Sequence, residues 1–150
     1  MNKFKGLFMS ERLDWRTPQE FFNKLDQEFD FKLDPCADPK HTLKPTITNI
    51  HGNAGLTLSW HGPAFMNPPY GREIGKWLKK AYEESLNGVT IVCLIPSRTD
   101  TKWWHEYVMK ATEIRFIRGR LKFEGQKNSA PFPSAVVVFD GKKQDKGESK

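Results

Sequence analysis

The chain has 150 residues, 37% of them hydrophobic and 28% charged, which suits one globular domain and excludes a disordered chain. No segment approaches the roughly 20 apolar residues of a membrane helix, and Cys36 and Cys93 are too few for a disulfide framework or a four-cysteine zinc site. With 24 Lys and Arg against 18 Asp and Glu the net charge is +6, which suits a polyanionic partner as well as a plain solubilising surface.

Residues 1–10 carry lysines but no continuous apolar stretch, so the expectation is a cytoplasmic protein without a signal peptide, membrane segment or metal. Thr17-Pro18-Gln19-Glu20 has the form of a helix start: a capping hydroxyl, proline at the first helical position and glutamate three residues after the cap. Phe21, Phe22, Leu25 and Phe29 then recur at helical spacing. Phe31-Lys32-Leu33 reads as a short strand stopped by Asp34-Pro35-Cys36. Between residues 38 and 63 only 46–50 reads as a strand.

Ala64-Phe65-Met66 is a second short strand, cut off by Asn67-Pro68-Pro69-Tyr70-Gly71. The clearest helix follows, with Ile74, Trp77, Leu78, Ala81, Tyr82 and Leu86 on one face and Asn87-Gly88 at its end. Residues 89–95 read as a buried strand ended by Pro96. Trp104, Tyr107, Val108 and Ala111 mark a further helix, with Trp103 at the rim of its stripe. Residues 113–117 and 134–139 complete the strands, with a strand-like Gly119-Arg120-Leu121-Lys122-Phe123 between them. Strands alternating with helices predict an α/β fold with a mainly parallel sheet covered on both faces. One domain over residues 1–140 is expected, followed by a charged, frayed tail at 141–150. In such sheets ligands bind beyond the carboxyl ends of the strands, which singles out Asp34-Pro35-Cys36, Asn67-Pro68-Pro69-Tyr70 and Pro96-Ser97-Arg98.

Asn67-Pro68-Pro69-Tyr70 carries the sharpest chemical signal. Successive prolines fix φ and remove two backbone donors, leaving carbonyl oxygens free to accept. An asparagine carbonyl beside a proline carbonyl forms a cradle for an NH2 group, and the tyrosine offers a flat face to a planar ring. Such an amine is conjugated and barely basic. Acceptors that draw its two hydrogens aside let the lone pair gain charge as a new bond forms, which stabilises the transition state.

The chain resembles the phage-type DNA N6-adenine methyltransferases. The resemblance rests on Trp15-Arg16-Thr17-Pro18, Leu33-Asp34-Pro35-Cys36-Ala37, Met66-Asn67-Pro68-Pro69-Tyr70-Gly71, Ile95-Pro96-Ser97-Arg98-Thr99-Asp100-Thr101, Ile117-Arg118-Gly119-Arg120-Leu121-Lys122-Phe123 and Ala130-Pro131-Phe132-Pro133-Ser134-Ala135, in that order. It implies a Rossmann-like, three-layer class I methyltransferase fold with an antiparallel C-terminal strand. It further implies methyl transfer from S-adenosylmethionine to the N6 amine of a flipped-out adenine in DNA, in a phage or restriction-modification setting. Asn67, Pro68, Pro69 and Tyr70 would be catalytic. Thr17, Pro18, Asp34, Pro35, Cys36, Ala37, Asn53 and Asn67 would hold the cofactor. The chain departs from the pattern twice: no glycine-rich G-x-G turn follows the first strand, and Asn53 stands where acidic residues usually precede Gly-Leu.

The basic segment between Arg98 and Lys127 holds eight Lys and Arg against four acids. Arg98, Lys102 and Trp103, together with Arg118, Arg120, Lys122 and Phe123, are the candidate DNA contacts. If 118–122 forms a strand, its three basic residues face one side as a phosphate track. Phe123 or Phe132 is placed to close over a flipped base, and both remain open. Cys36 reads as a packed thiol rather than a nucleophile. Two alternatives accompany this function: an amine methyltransferase acting on RNA or protein glutamine, and an inactive DNA-binding module on the same fold. No segment of this chain is long enough for a separate recognition domain, so site choice falls to short loops or to a homodimer partner.

Overall fold

The computed structural model describes residues 15–144, so the expectations placed on residues 1–10 and 145–150 lie outside the described residues. In chain order the elements are α1 (Gln19–Phe29), β1 (Leu33–Asp34), β2 (Thr48–Asn49), α2 (Ala54–Thr57), β3 (Ala64–Met66), α3 (Ile74–Leu86), β4 (Ile91–Pro96), α4 (Lys102–Glu106), β5 (Glu113–Phe116) and β6 (Ser134–Phe139). A 3-10 turn, Val108–Lys110, follows α4.

The six strands form one sheet in the order β2-β1-β3-β4-β6-β5. β1, β2, β3 and β4 are parallel, and β6 runs antiparallel to both β4 and β5. Every residue of β3, β4 and β6 is buried. Side chains alternate between faces along a strand, so unbroken burial requires cover on both sides of the sheet. On one face Phe22 of α1 meets Phe65 edge-on, at 5.3 Å between ring centroids, and Phe31 packs against both. In α3, Ile74, Trp77, Leu78 and Ala81 are buried as their spacing predicts. Glu84 is buried too. Its carboxylate accepts from the Trp60 N–H at 3.1 Å and pairs with Lys80 at 2.9 Å.

Four local expectations need correction. α1 starts at Gln19 without a side-chain cap from Pro18, and the Thr17 hydroxyl is used elsewhere. The carboxylate that takes the Gln19 N–H, at 2.8 Å, is Glu124, 105 residues away. A local capping signal loses here to a long-range partner. α4 is shorter than its stripe suggests, because Tyr107 (φ −121°, ψ −48°) leaves the helical region and the chain tightens into the 3-10 turn. The segment from Gly119 to Phe123 is not a strand. Glycines at φ +78° stand at 119 and 125; the Leu121 carbonyl accepts from the Ala130 N–H and the Phe123 carbonyl from the Gln126 N–H, and neither bond goes to a sheet strand. The expected frayed tail is tied down at its start: the Gly141 N–H donates to Thr90 Oγ1, and Gln144 accepts from Thr112 Oγ1 at 3.0 Å.

Candidate active site

After β1 the chain crosses to β2 on one side, and it returns to place β3 on the other. Ligands in open α/β sheets bind where the order reverses in this way, outside the carboxyl ends of the strands. A cavity of about 390 Å³ lies there. β1 supplies Asp34 and the loop behind it supplies Cys36, Ala37 and Asp38. β3 delivers Asn67, Pro68 and Pro69, and residues 15–17 close the near side.

Asn67 lines this cavity. Its amide Nδ2 donates to the Trp15 carbonyl and to Thr17 Oγ1, the latter at 2.9 Å. Both N–H bonds are therefore used. Its Oδ1 is buried and accepts from no described residue. Leaving a buried acceptor unpaired costs about 1–3 kcal/mol; Asn49 Oδ1, Ser97 Oγ and Ser134 Oγ share that state, but of the four residues only Asn67 lines this cavity. Nothing among the described residues donates to the Pro68 carbonyl either.

Asp34 is only 5% exposed. Burial pushes its carboxyl up to about 7, opposed by the Cys36 N–H that donates to it at 3.1 Å and assisted by the charge of Asp38. The Cys36 thiol is also raised well above its usual range, by burial first and then by the charge of Asp34. Asp38 is held low by the Lys40 N–H and by Arg16, which it pairs at 2.7 Å, although partial burial opposes them. This ion pair joins the 15–17 strap to the β1–β2 loop.

A second cavity, about 600 Å³, opens on the other side of the turn. Tyr70, Trp15, Phe132, Trp103 and Ile74 give it flat apolar walls, and Arg72 and Arg98 stand among its lining residues. Trp15 lines both cavities. The Tyr70 ring meets Phe132 and Phe123 edge-on, at 5.7 and 6.4 Å, and its hydroxyl donates to the Leu94 carbonyl at 3.2 Å. Burial raises the Tyr70 hydroxyl well above its ordinary pKa, so it stays neutral. Trp103 lies over Gly75, where an added Cβ would sit 3.4 Å from the tryptophan Cβ.

Of the cofactor candidates, Thr17, Asp34, Cys36, Ala37, Asn53 and Asn67 converge on the first cavity, whereas Pro18 and Pro35 do not line it. The DNA candidates divide. Arg98 and Trp103 line the second cavity, and Lys102 is exposed at the start of α4. Arg118, Arg120 and Lys122 are exposed on an irregular segment, so the one-sided row expected of a strand does not form. Phe123 is 1% exposed and stacks behind Trp15 and Tyr70, which makes it a supporting wall rather than a surface contact.

Sequence reading did not mark Trp77 and His41 as lining the first cavity, Arg72 as lining the second or Glu124 as a contact of the α1 start, because these placements depend on segments distant in the chain. Gly55 was the one readable signal passed over. A Cβ there would lie 2.2 Å from the Pro35 carbonyl and 2.7 Å from Trp77, so only glycine lets α2 close behind the β1 loop.

Two comparisons relate this chain to known proteins. Residues 7–148 match the family described as DNA N-6-adenine-methyltransferase (Dam). The chain is also 31% identical, over 139 residues, to the DNA N-6-adenine-methyltransferase of Haemophilus phage HP1 (strain HP1c1); the match covers 85% of this chain and 79% of that protein. Matched by the family model over residues 7–148 and by a 31% identical relative over most of its length, the chain belongs to the DNA N-6-adenine-methyltransferase (Dam) family.

Proposed function

We propose that this DNA adenine methyltransferase holds S-adenosylmethionine in the cavity between β1 and β3 and the target adenine in the cavity beyond Tyr70. The lining of the first cavity suits a cationic cofactor: the Asp34 carboxyl accepts, and Trp77 adds an apolar wall. When bound, the cofactor supplies an electrophilic methyl group on a sulfonium. A Rossmann-like methyltransferase sheet is part of the same reading, supported by the parallel strands, the switch between β1 and β3 and the antiparallel β6.

Adenine inside a duplex is out of reach, so the base leaves the stack at a cost of a few kcal/mol. Tyr70, Trp15 and Phe132 give it a flat apolar slot in place of its neighbours. Asn67 Oδ1 and the Pro68 carbonyl accept the two hydrogens of the N6 amine and hold it in line for attack. Transfer of the cofactor's methyl group would build positive charge on the amine nitrogen. Two fixed acceptors stabilise that charge more than they stabilise the neutral amine. The surplus proton then passes to solvent.

The observation that carries this reading is the Asn67 amide, with both donors spent and its acceptor left open. The test is methyl incorporation from labelled S-adenosylmethionine into duplex DNA, RNA and protein in parallel. Label recovered as N6-methyladenine from DNA is expected. Label in RNA or protein instead would move the substrate assignment, and no label in any of the three would favour a binding module.

A further inference from the structure

An asparagine amide presents one acceptor and two donors, and a half-turn about χ2 exchanges them. An amine substrate needs the acceptor. What fixes the orientation of Asn67 therefore decides whether its Oδ1 or its NH2 meets the substrate. The Trp15 carbonyl can only accept, so it dictates which side carries the NH2, and Thr17 Oγ1 takes the second hydrogen.

Both partners lie on the three-residue strap ahead of α1, and Glu124 brackets that strap. Its backbone N–H donates to the Arg16 carbonyl at 3.0 Å, and its carboxylate accepts from the Gln19 N–H at 2.8 Å. One residue thus holds the chain on either side of Thr17, which is 4% exposed. The neighbouring Phe123, with Phe132, also packs against the Trp15 ring at 5.3 and 5.2 Å.

We propose that Thr17 is a positioning residue that holds the Asn67 amide in the orientation set by the Trp15 carbonyl, and that Glu124 is a positioning residue for the strap carrying both partners. The inference rests on the reading of Asn67 as the amine acceptor. It gives Thr17 a different task from the cofactor contact implied by the family resemblance. It also gives the segment after Lys122 a part in catalysis, although Glu124 lines neither cavity.

The experiment compares Thr17→Val, which keeps the shape and removes the acceptor, with Thr17→Ser, which keeps the acceptor. kcat on duplex DNA, cofactor affinity by calorimetry and the Asn67 side-chain amide signals in a 15N–1H spectrum of the free chain are read for each. Thr17→Val should lower kcat about tenfold, the weight of one neutral hydrogen bond, with cofactor affinity within about twofold. Its Asn67 NH2 signals should shift and exchange faster, and Thr17→Ser should restore both readouts. Wild-type kcat in Thr17→Val, or unmoved Asn67 signals, would overturn the proposal. A loss of cofactor affinity equal to the loss of kcat would return Thr17 to the cofactor. Glu124→Ala, with Glu124→Gln as its rescue, carries the same test if the valine variant does not fold. A wild-type protein that transfers no methyl group sinks the functional reading, while the amide signals still decide what orients Asn67.

Discussion

Asn67 Nδ2 donates to Thr17 Oγ1 at 2.9 Å, joining the end of β3 to the strap ahead of α1 across fifty positions of sequence. The bond explains why the cavity carries an open acceptor. Replacing Asn67 by Ala removes that acceptor and leaves the apolar walls and Asp34 in place. Turnover should fall by about 10² to 10³, by analogy with the loss of one oxyanion-hole donor. Cofactor affinity should change only a few-fold, since the contact strengthens in the transition state. Steady-state kinetics with parallel calorimetry makes the comparison, and near wild-type turnover would remove Asn67 from the chemistry.

Tyr70 separates stacking from hydroxyl chemistry. Its hydroxyl is spent on the Leu94 carbonyl. Tyr70→Phe should cost about 0.5–1.5 kcal/mol of stability, one buried hydrogen bond, and keep most activity. Tyr70→Ala should also take the ring away from Phe123 and Phe132, lowering stability by about 3–5 kcal/mol and base binding by about 1–3 kcal/mol. Denaturant melts and DNA titrations read the two effects separately. Equal damage from both changes would mean that the hydroxyl takes part in the reaction.

The basic side chains fall into two groups that salt dependence can tell apart. Arg72 and Arg98 line the second cavity and are exposed, with no ion-pair partner among the described residues. Arg118, Arg120 and Lys122 are exposed on the irregular segment beyond β5. Each true phosphate contact contributes about 0.9 to the slope of log affinity against log salt. Changing Arg72 and Arg98 together to Gln should flatten the slope by about 2 units, and the triple change by about 2 to 3. A slope unmoved by either set marks that set as plain solvated surface. Arg115, in contrast, is held by Glu28 at 2.6 Å and by Glu113 at 2.8 Å, so Arg115→Gln should leave the slope unchanged.

Asp34 gives the protein a pH signature. In the unfolded chain its carboxyl ionises near the usual 3.9, whereas in the fold burial keeps it protonated up to about 7. Between those values the folded state binds more protons, so stability from this group falls as pH rises and levels off above about 7. Asp34→Asn should equal wild type near pH 4 and exceed it by more than about 1 kcal/mol at pH 8. Denaturant midpoints at the two pH values check this. A cationic cofactor favours the ionised carboxyl, so wild type should also release protons on binding near pH 6, seen as buffer-dependent heats. A variant no more stable than wild type at pH 8 would remove the burial cost assigned to Asp34.

The sequence by itself determined the elements whose signal is local and repeated. The α3 stripe of Ile74, Trp77, Leu78 and Ala81 is buried where its spacing puts it, and β3 and β6 occupy the residues read for them. The Asn67-Pro68-Pro69-Tyr70 turn was legible for the same reason, because prolines restrict the backbone whatever surrounds them. Only the tertiary structure decided what the polar groups do. Thr17 looks like a helix cap and instead accepts from the Asn67 amide, and Glu124, unremarkable in the sequence, takes the N–H at the start of α1. The basic segment alternates like a strand, but its Leu121 and Phe123 carbonyls accept from the Ala130 and Gln126 N–H groups. Apolar periodicity reports which face a residue must bury, and short-range geometry enforces it. A single hydrogen-bonding side chain satisfies itself with any partner the fold brings near, and folding brought these partners from 50 and 105 residues away.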